Sequence, residues 1–212
     1  MAKTDQVLQG RMGNAVFYRV NGKTYVRSVP STYRDARTAA QQSNRMRLVV
    51  AGRFYQRLQG TFLREVWRLA ARHFSMNGCN LFMKMNLQVF DSRTLYDPSH
   101  LMMSHGTLPR LNHPAVTLLA DNRVCLTWDY WRRREVAHAD DRLCVVALFE
   151  GRMYSPVLFE GLTVNRRNYS VTLDLGEGWC RRAHLYCFFA SPNGQAYSPS
   201  DYLSVEPKSV AA

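Results

Sequence analysis

The chain has 212 residues, 46% of them hydrophobic and 12% aromatic, and a formal net charge of +12. This composition excludes a disordered polyelectrolyte and fits a folded chain with a sizeable core, and no apolar run approaches the ~18 residues that a membrane helix needs. The charge is lopsided, with 17 Lys and Arg against 5 Asp and Glu in residues 1–110 but 11 of each in residues 111–212, so an acidic partner is expected for the first half.

Taken in chain order, MAKTDQVLQG at the start carries no hydrophobic segment of the kind that directs secretion, and a cytoplasmic protein is expected. Residues 13–27, GNAVFYRVNGKTYVR, then predict a β-hairpin. Asn21-Gly22 suits a type I′ turn, which needs positive φ at both central positions. The arms and tip carry Arg19, Lys23 and Arg27 beside Phe17, Tyr18 and Tyr25. Bases could stack on such a ribbon while cations meet phosphates, or the aromatics could simply pack its face. Because a two-stranded ribbon is marginal alone, that face must lie on the protein or on a partner. Pro30 ends the second strand.

Helices follow. Thr38 and Gln41 have the spacing of a capping box, after which Met46, Val49, Val50, Phe54 and Leu58 recur at helical steps and predict one buried face. Gly60 weakens the pattern, and Thr61 is a candidate cap for a second helix whose Leu63, Val66, Trp67, Ala70 and Phe74 share a face. A third, shorter helix is expected near 80–89, after the Asn77-Gly78 break. Arg53, Arg57, Arg64, Arg68 and Arg72 would occupy a ~100° arc if the first two helices ran on as one. Such a row is either a solvated face or a stripe that tracks phosphates or docks a partner. Glu65 is the only acid among these arginines, which weakens the first reading, since solvated helices mix both signs.

Residues 91–110 are turn-rich and read as a connection, with 101–103 a candidate added strand. From His113 the rhythm changes to seven short strands, PAVTLLA, RVCLTWDY, RLCVVALFE, MYSPVLFEGLTV, YSVTLDL, AHLYCFFAS and SDYLSV, separated by turn signals that include Asp121-Asn122 and Gly176-Glu177-Gly178. This punctuation predicts a β-sandwich. The expected class is therefore α+β, with a basic hairpin and helical domain over 1–110 and a sandwich over 111–212. Trp128 and Trp131, followed by Arg132, Arg133 and Arg134, form a second aromatic and basic cluster, also readable as a core Trp beside a solvated strand end.

Catalytic signatures are missing from the sequence. It has no G-x-S-x-G elbow and no phosphate loop, and its six histidines show no zinc spacing. His100 and His105, the closest pair, read as surface residues, and Asp140-Asp141 as a turn cap. The five cysteines, odd in number and without CxxC spacing, read as reduced thiols. Cys125 and Cys187 fall on strands bridged in some immunoglobulin domains, but Cys125 alternates with Val124, Leu126 and Trp128 and should point away from their core. No enzyme activity, cofactor or metal is expected.

Val124, Leu126 and Trp128, with the late LYCFFASPNGQAYSPS, give residues 111–212 a resemblance to a fibronectin type III domain. That resemblance implies a seven-stranded immunoglobulin-like sandwich used for binding or architecture. Over nearly its full length the chain is also similar to an uncharacterised family of bacterial proteins, seen mainly in Bacteroidota, with a G-x-x-G-x-x-V/A start. GRMGNAVFYRVNGKTYVRSVP, RTAAQQSNRMRLVVAGRF, SHGTLP and SPSDYLSV carry that similarity. It implies no activity.

The expected function is non-enzymatic binding of a polyanion, foremost nucleic acid, DNA or RNA, through phosphate contacts of Arg19, Lys23, Arg27, Arg53, Arg57, Arg64, Arg68 and Arg72. The alternative is a structural subunit of a phage, mobile-element or other large particle, whose hairpin adds to a neighbour's sheet and whose arginines meet an acidic protein surface. Either reading admits a homo-oligomer, and neither needs a membrane.

Overall fold

The computed structural model describes residues 9–20, 22–32, 35–129, 137–177 and 179–207, and the chain falls into two compact units, Met1–Gln41 and Gln42–Ala212. The first unit is an antiparallel sheet of β1 (Gly10–Met12), β2 (Ala15–Val20) and β3 (Lys23–Ser28), in that order. Thus the expected hairpin has an extra strand before it. Gly13, at φ +57, opens the tight turn that admits β1. Asn21 of the other turn lies outside the described residues, and Gly22 after it has φ +80. None of the described residues of this unit is buried.

Helix α1 (Ala39–Leu58) starts at the expected capping box, Thr38 N donating to Gln41 Oε1 and Gln41 N to Thr38 Oγ1, both at 3.3 Å. Its buried face begins only at Val50 and continues through Ala51, Phe54, Tyr55 and Leu58, whereas Met46 and Val49 are exposed. The expected apolar face is therefore cut to its C-terminal half. Helix α2 (Leu63–Arg72) is capped through Thr61, whose Oγ1 accepts from Leu63 N at 3.2 Å, and it buries Leu63, Val66, Trp67 and Ala70. Phe74 lies past its end and stays partly exposed. Helix α3 (Gly78–Asn86) starts at Asn77, whose side chain accepts from Asn80 N at 2.7 Å.

Among the described residues the strands that follow are β4 (Asn112–Leu118), β5 (Arg123–Asp129), β6 (Arg142–Phe149), β7 (Val157–Leu158), β8 (Ser170–Asp174), β9 (Ala183–Ala190) and β10 (Asp201–Val205). They form two antiparallel sheets, β10-β9-β6-β7 and β4-β5-β8. Residues 130–136, which hold the Trp131, Arg132, Arg133 and Arg134 of the second cluster, lie outside the described residues, as does Gly178.

Strands β6 and β9 supply two cores at once. Leu143, Val145, Ala147, Leu185, Cys187 and Phe189 meet Val124, Leu126, Trp128, Val171 and Leu173 of the three-stranded sheet. Their alternate neighbours Val146, Leu148, Tyr186, Phe188 and Ala190 meet Phe54, Trp67, Phe82 and Phe90 of the helical layer. Period-two alternation sends successive side chains to opposite faces. Consequently the helices share a core with the outer face of the four-stranded sheet, and the division expected after residue 110 falls instead near residue 41.

The connection is docked along residues 197–200 without forming the extra strand expected at 101–103. Ser104 Oγ donates to Ser198 O at 2.7 Å, and Leu108 N to Tyr197 O at 3.0 Å. Asn86 clamps its start, its side chain accepting from Met102 N at 2.7 Å and donating to Met102 O at 3.2 Å. All five cysteines are free thiols; Cys125 turns away from the sandwich core and Cys187 lies within it.

Candidate polyanion-binding surface

In the first unit the pairing register decides which cations share a face. Val20 stands opposite Lys23, Tyr18 opposite Tyr25, and Val16 opposite both Arg27 and Arg11. Alternation puts these rows on one face, so Lys23, Arg27 and Arg11 flank the Tyr18 and Tyr25 rings, which stack with centroids 5.7 Å apart. Arg19 belongs to the other face, with Phe17, Val26 and Met12. Lys23 and Arg27 are thus brought together and Arg19 is not. Arg11 was missed because β1 was missed, although Gly13-Asn14 is a turn pair that could have revealed it.

In the second unit residues 59–62 separate α1 from α2, so the five arginines form two groups, each placed by its own helix. Burial of Val50, Phe54 and Leu58 turns Arg53 and Arg57 outward on α1. They line a cleft of about 480 Å³ together with Val50, Gln56, Arg93 and Tyr154. Arg64, Arg68 and Arg72 recur every four residues on α2 and are exposed. Arg68 is engaged by Glu65, its Nε donating to Oε2 at 2.6 Å and its Nη2 to Oε1. That fork holds the Glu65 carboxyl below its usual range and lifts the Arg68 guanidinium above its own. Exposed pairs of this kind add little stability.

Arg93 was passed over because the sequence places it 36 residues beyond Arg57, in a turn-rich connection. The tight 91–94 turn holds the backbone of Arg93. Asp91 Oδ1 accepts from Arg93 N and Thr94 N, both at 2.6 Å, and Asp91 N donates to Thr94 O at 2.9 Å. These N–H groups, that of Thr94 first, keep the Asp91 carboxyl below the usual carboxylate range.

The histidines and carboxylates singled out in the sequence make other contacts. His100 Nδ1 lies 2.8 Å from Asp97 Oδ2, and the half-buried His105 ring packs on Phe74. Asp141 caps His138 N at 3.1 Å but is also buried against Arg166. Among the described residues no three His, Cys, Asp or Glu gather as a metal site, and no helix is long and apolar enough to cross a membrane.

Residues 7–204 match a family described as "Family of unknown function (DUF6266)". The chain belongs to that family. No curated protein matches this family member. Among solved structures it is similar to the chicken CNTN1 FN1-FN3 domains, at 12% identity and TM-score 0.35, over 48% of this chain and 33% of that one. It is likewise similar to domains d3-d4 of the rat CD45 extracellular region, at 13% identity and TM-score 0.35, over 49% of this chain and 52% of that one. The fn3 domain of human contactin 1 is matched at 11% identity and TM-score 0.31, over 51% of this chain and 87% of that one. This family member therefore spans a third to a half of the length of the first two structures it matches.

Proposed function

We propose that this family member is a non-enzymatic, cytoplasmic protein that binds a polyanion, foremost nucleic acid, through the phosphates. The supporting observation is the cleft walled by Arg53, Arg57 and Arg93, with no carboxylate among its described lining residues. Guanidinium groups meet phosphate oxygens in bidentate fashion and need no particular base sequence. Arg64 and Arg72 on α2 would extend the contact, and in the first unit Lys23 and Arg27 beside the Tyr18 and Tyr25 stack would make phosphate contacts of their own. In this reading the two sheets are a seven-stranded fibronectin type III-like sandwich that carries the helices; two antiparallel sheets around one core support it. A Bacteroidota source belongs to the same proposal and rests on sequence resemblance alone.

Fluorescence anisotropy of labelled DNA and RNA oligonucleotides across a salt series tests the reading. Binding that weakens linearly in log salt is expected; affinity that ignores salt, or no binding at low salt, overturns it.

A second reading, a subunit of a phage, mobile-element or other large particle, is favoured by the first unit. Among the described residues its sheet buries none, and its outer strands β1 and β3 each pair only with β2. Open edges of this kind accept a neighbour's strand. Light scattering without nucleic acid separates the readings, since a subunit self-associates and a binder stays small.

A further inference from the structure

The cleft on α1 draws its cations from two places in the sequence. Arg53 and Arg57 stand one turn apart, facing out because Val50, Phe54 and Leu58 belong to the core. Arg93 comes from the 91–94 turn, whose Asp91 carboxylate is taken up by the N–H groups of Arg93 and Thr94. The nearby acid is therefore held by the backbone that carries Arg93. Tyr154 lines the cleft and is anchored by its ring, edge-on to Phe54 at 5.8 Å, and Gln56 contributes an amide.

Three guanidinium forks, an amide and a phenol thus surround a space of about 480 Å³, within the ~300–1,000 Å³ typical of ligand clefts. The guanidinium and amide groups can donate hydrogen bonds into it and three carry positive charge, whereas the Tyr154 hydroxyl is buried and only its ring walls the cleft. A phosphate group carries one negative charge as a backbone diester and up to two as a free phosphate, and its oxygens each accept more than one hydrogen bond from guanidinium forks, so it matches the sign and the donors.

We propose that the cleft of Arg53, Arg57, Arg93, Gln56 and Tyr154 is a phosphate-binding site, the point at which a backbone phosphate of the bound polyanion is held. This deepens the polyanion reading and rests on it for the source of the phosphate. The same chemistry would take a free phosphate or pyrophosphate.

The test uses the full chain with two probes, a labelled single-stranded oligonucleotide by anisotropy and inorganic pyrophosphate by calorimetry. Arg57→Gln and Arg93→Gln are compared with Arg123→Gln, an exposed arginine at the start of β5 paired with Asp121 of the turn before it. All three side chains are on the surface, so the fold is retained; Arg93→Lys keeps the charge and loses the fork. The cleft variants are expected to weaken oligonucleotide binding about tenfold and to flatten its log-salt slope by about one. Pyrophosphate should compete, Arg93→Lys should fall between, and Arg123→Gln should match the parent.

The failures are distinguishable. Oligonucleotide binding that is equal in all three glutamine variants overturns the site and leaves the polyanion reading standing. Pyrophosphate binding that is lost in Arg93→Gln, with no oligonucleotide binding, upholds the site for free phosphates and overturns the nucleic-acid reading. Silence from both probes overturns both.

Discussion

Arg166 Nη2 stands 3.1 Å from Asp141 Oδ2, with both side chains buried. The same guanidinium donates to Pro109 O at 3.0 Å and Arg110 O at 3.3 Å and lies 3.8 Å from the centre of the Phe189 ring. It thereby ties the end of the connection to the sandwich.

Removing one partner of such a pair leaves a buried charge uncompensated, at a cost of about 3–5 kcal/mol. Arg166→Met is expected to lower the urea midpoint accordingly. The double variant Arg166→Met with Asp141→Leu should recover much of the loss, since a well-packed apolar pair can replace an ionic one.

Gly106 marks where the connection meets the sandwich most closely. A Cβ built there would come within 2.2 Å of Tyr197 O, a backbone atom with little room to shift. Gly106→Ala is expected to cost at least the ~1–3 kcal/mol typical of overpacking. Differential scanning calorimetry would register a fall of several degrees; an unchanged Tm would show that the two segments can part.

Residues 111–212 alone should not behave as a soluble sandwich. Cutting away the helices uncovers Val146, Leu148, Tyr186, Phe188 and Ala190 across the middle of the four-stranded sheet. A contiguous apolar patch of that kind drives association. The fragment is expected to bind a hydrophobic dye and to elute as aggregates, whereas 42–212 should stay monodisperse at the same concentration.

Stability should decline on mild acidification. Burial, the first cause at both sites, pulls the His105 and His184 imidazoles below their usual 6.5, Glu150 opposing it at His184. A histidine whose folded pKa lies below its unfolded value binds fewer protons when folded. Its contribution is therefore intact above about pH 6.5 and is lost as the pH drops from there toward the lowered folded value. Urea midpoints at pH 7.5 and 5.5 should show the fall, and His105→Gln with His184→Gln should shrink the difference.

Particular stretches show why some of this was legible and some was not. Thr38 and Gln41 announce α1 because a cap is local chemistry, whereas Asn77, expected only as a break, caps an α3 that starts at Gly78. The double burial of β6 and β9 was also written in LCVVALF and LYCFFA, runs without the polar alternation of a half-solvated strand. Their pattern predicts strands without showing which layer covers each side, so the expected boundary at residue 110 differs from the division near residue 41. Arg93 is a different case. Its approach to Arg53 and Arg57 depends on how the 91–94 turn lies against α1, and no pattern within either segment encodes that.

The open sheet of the first unit has a thermodynamic corollary. With none of its described residues buried, it is held by ladder hydrogen bonds and by the Tyr18 and Tyr25 stack, and three strands without a covered face stand near the threshold of independent folding. Whatever grips it must first find it formed, so apparent affinity is the intrinsic affinity scaled by the fraction of time the strands are assembled. A substitution that only preorganises this sheet should tighten binding without touching the ligand.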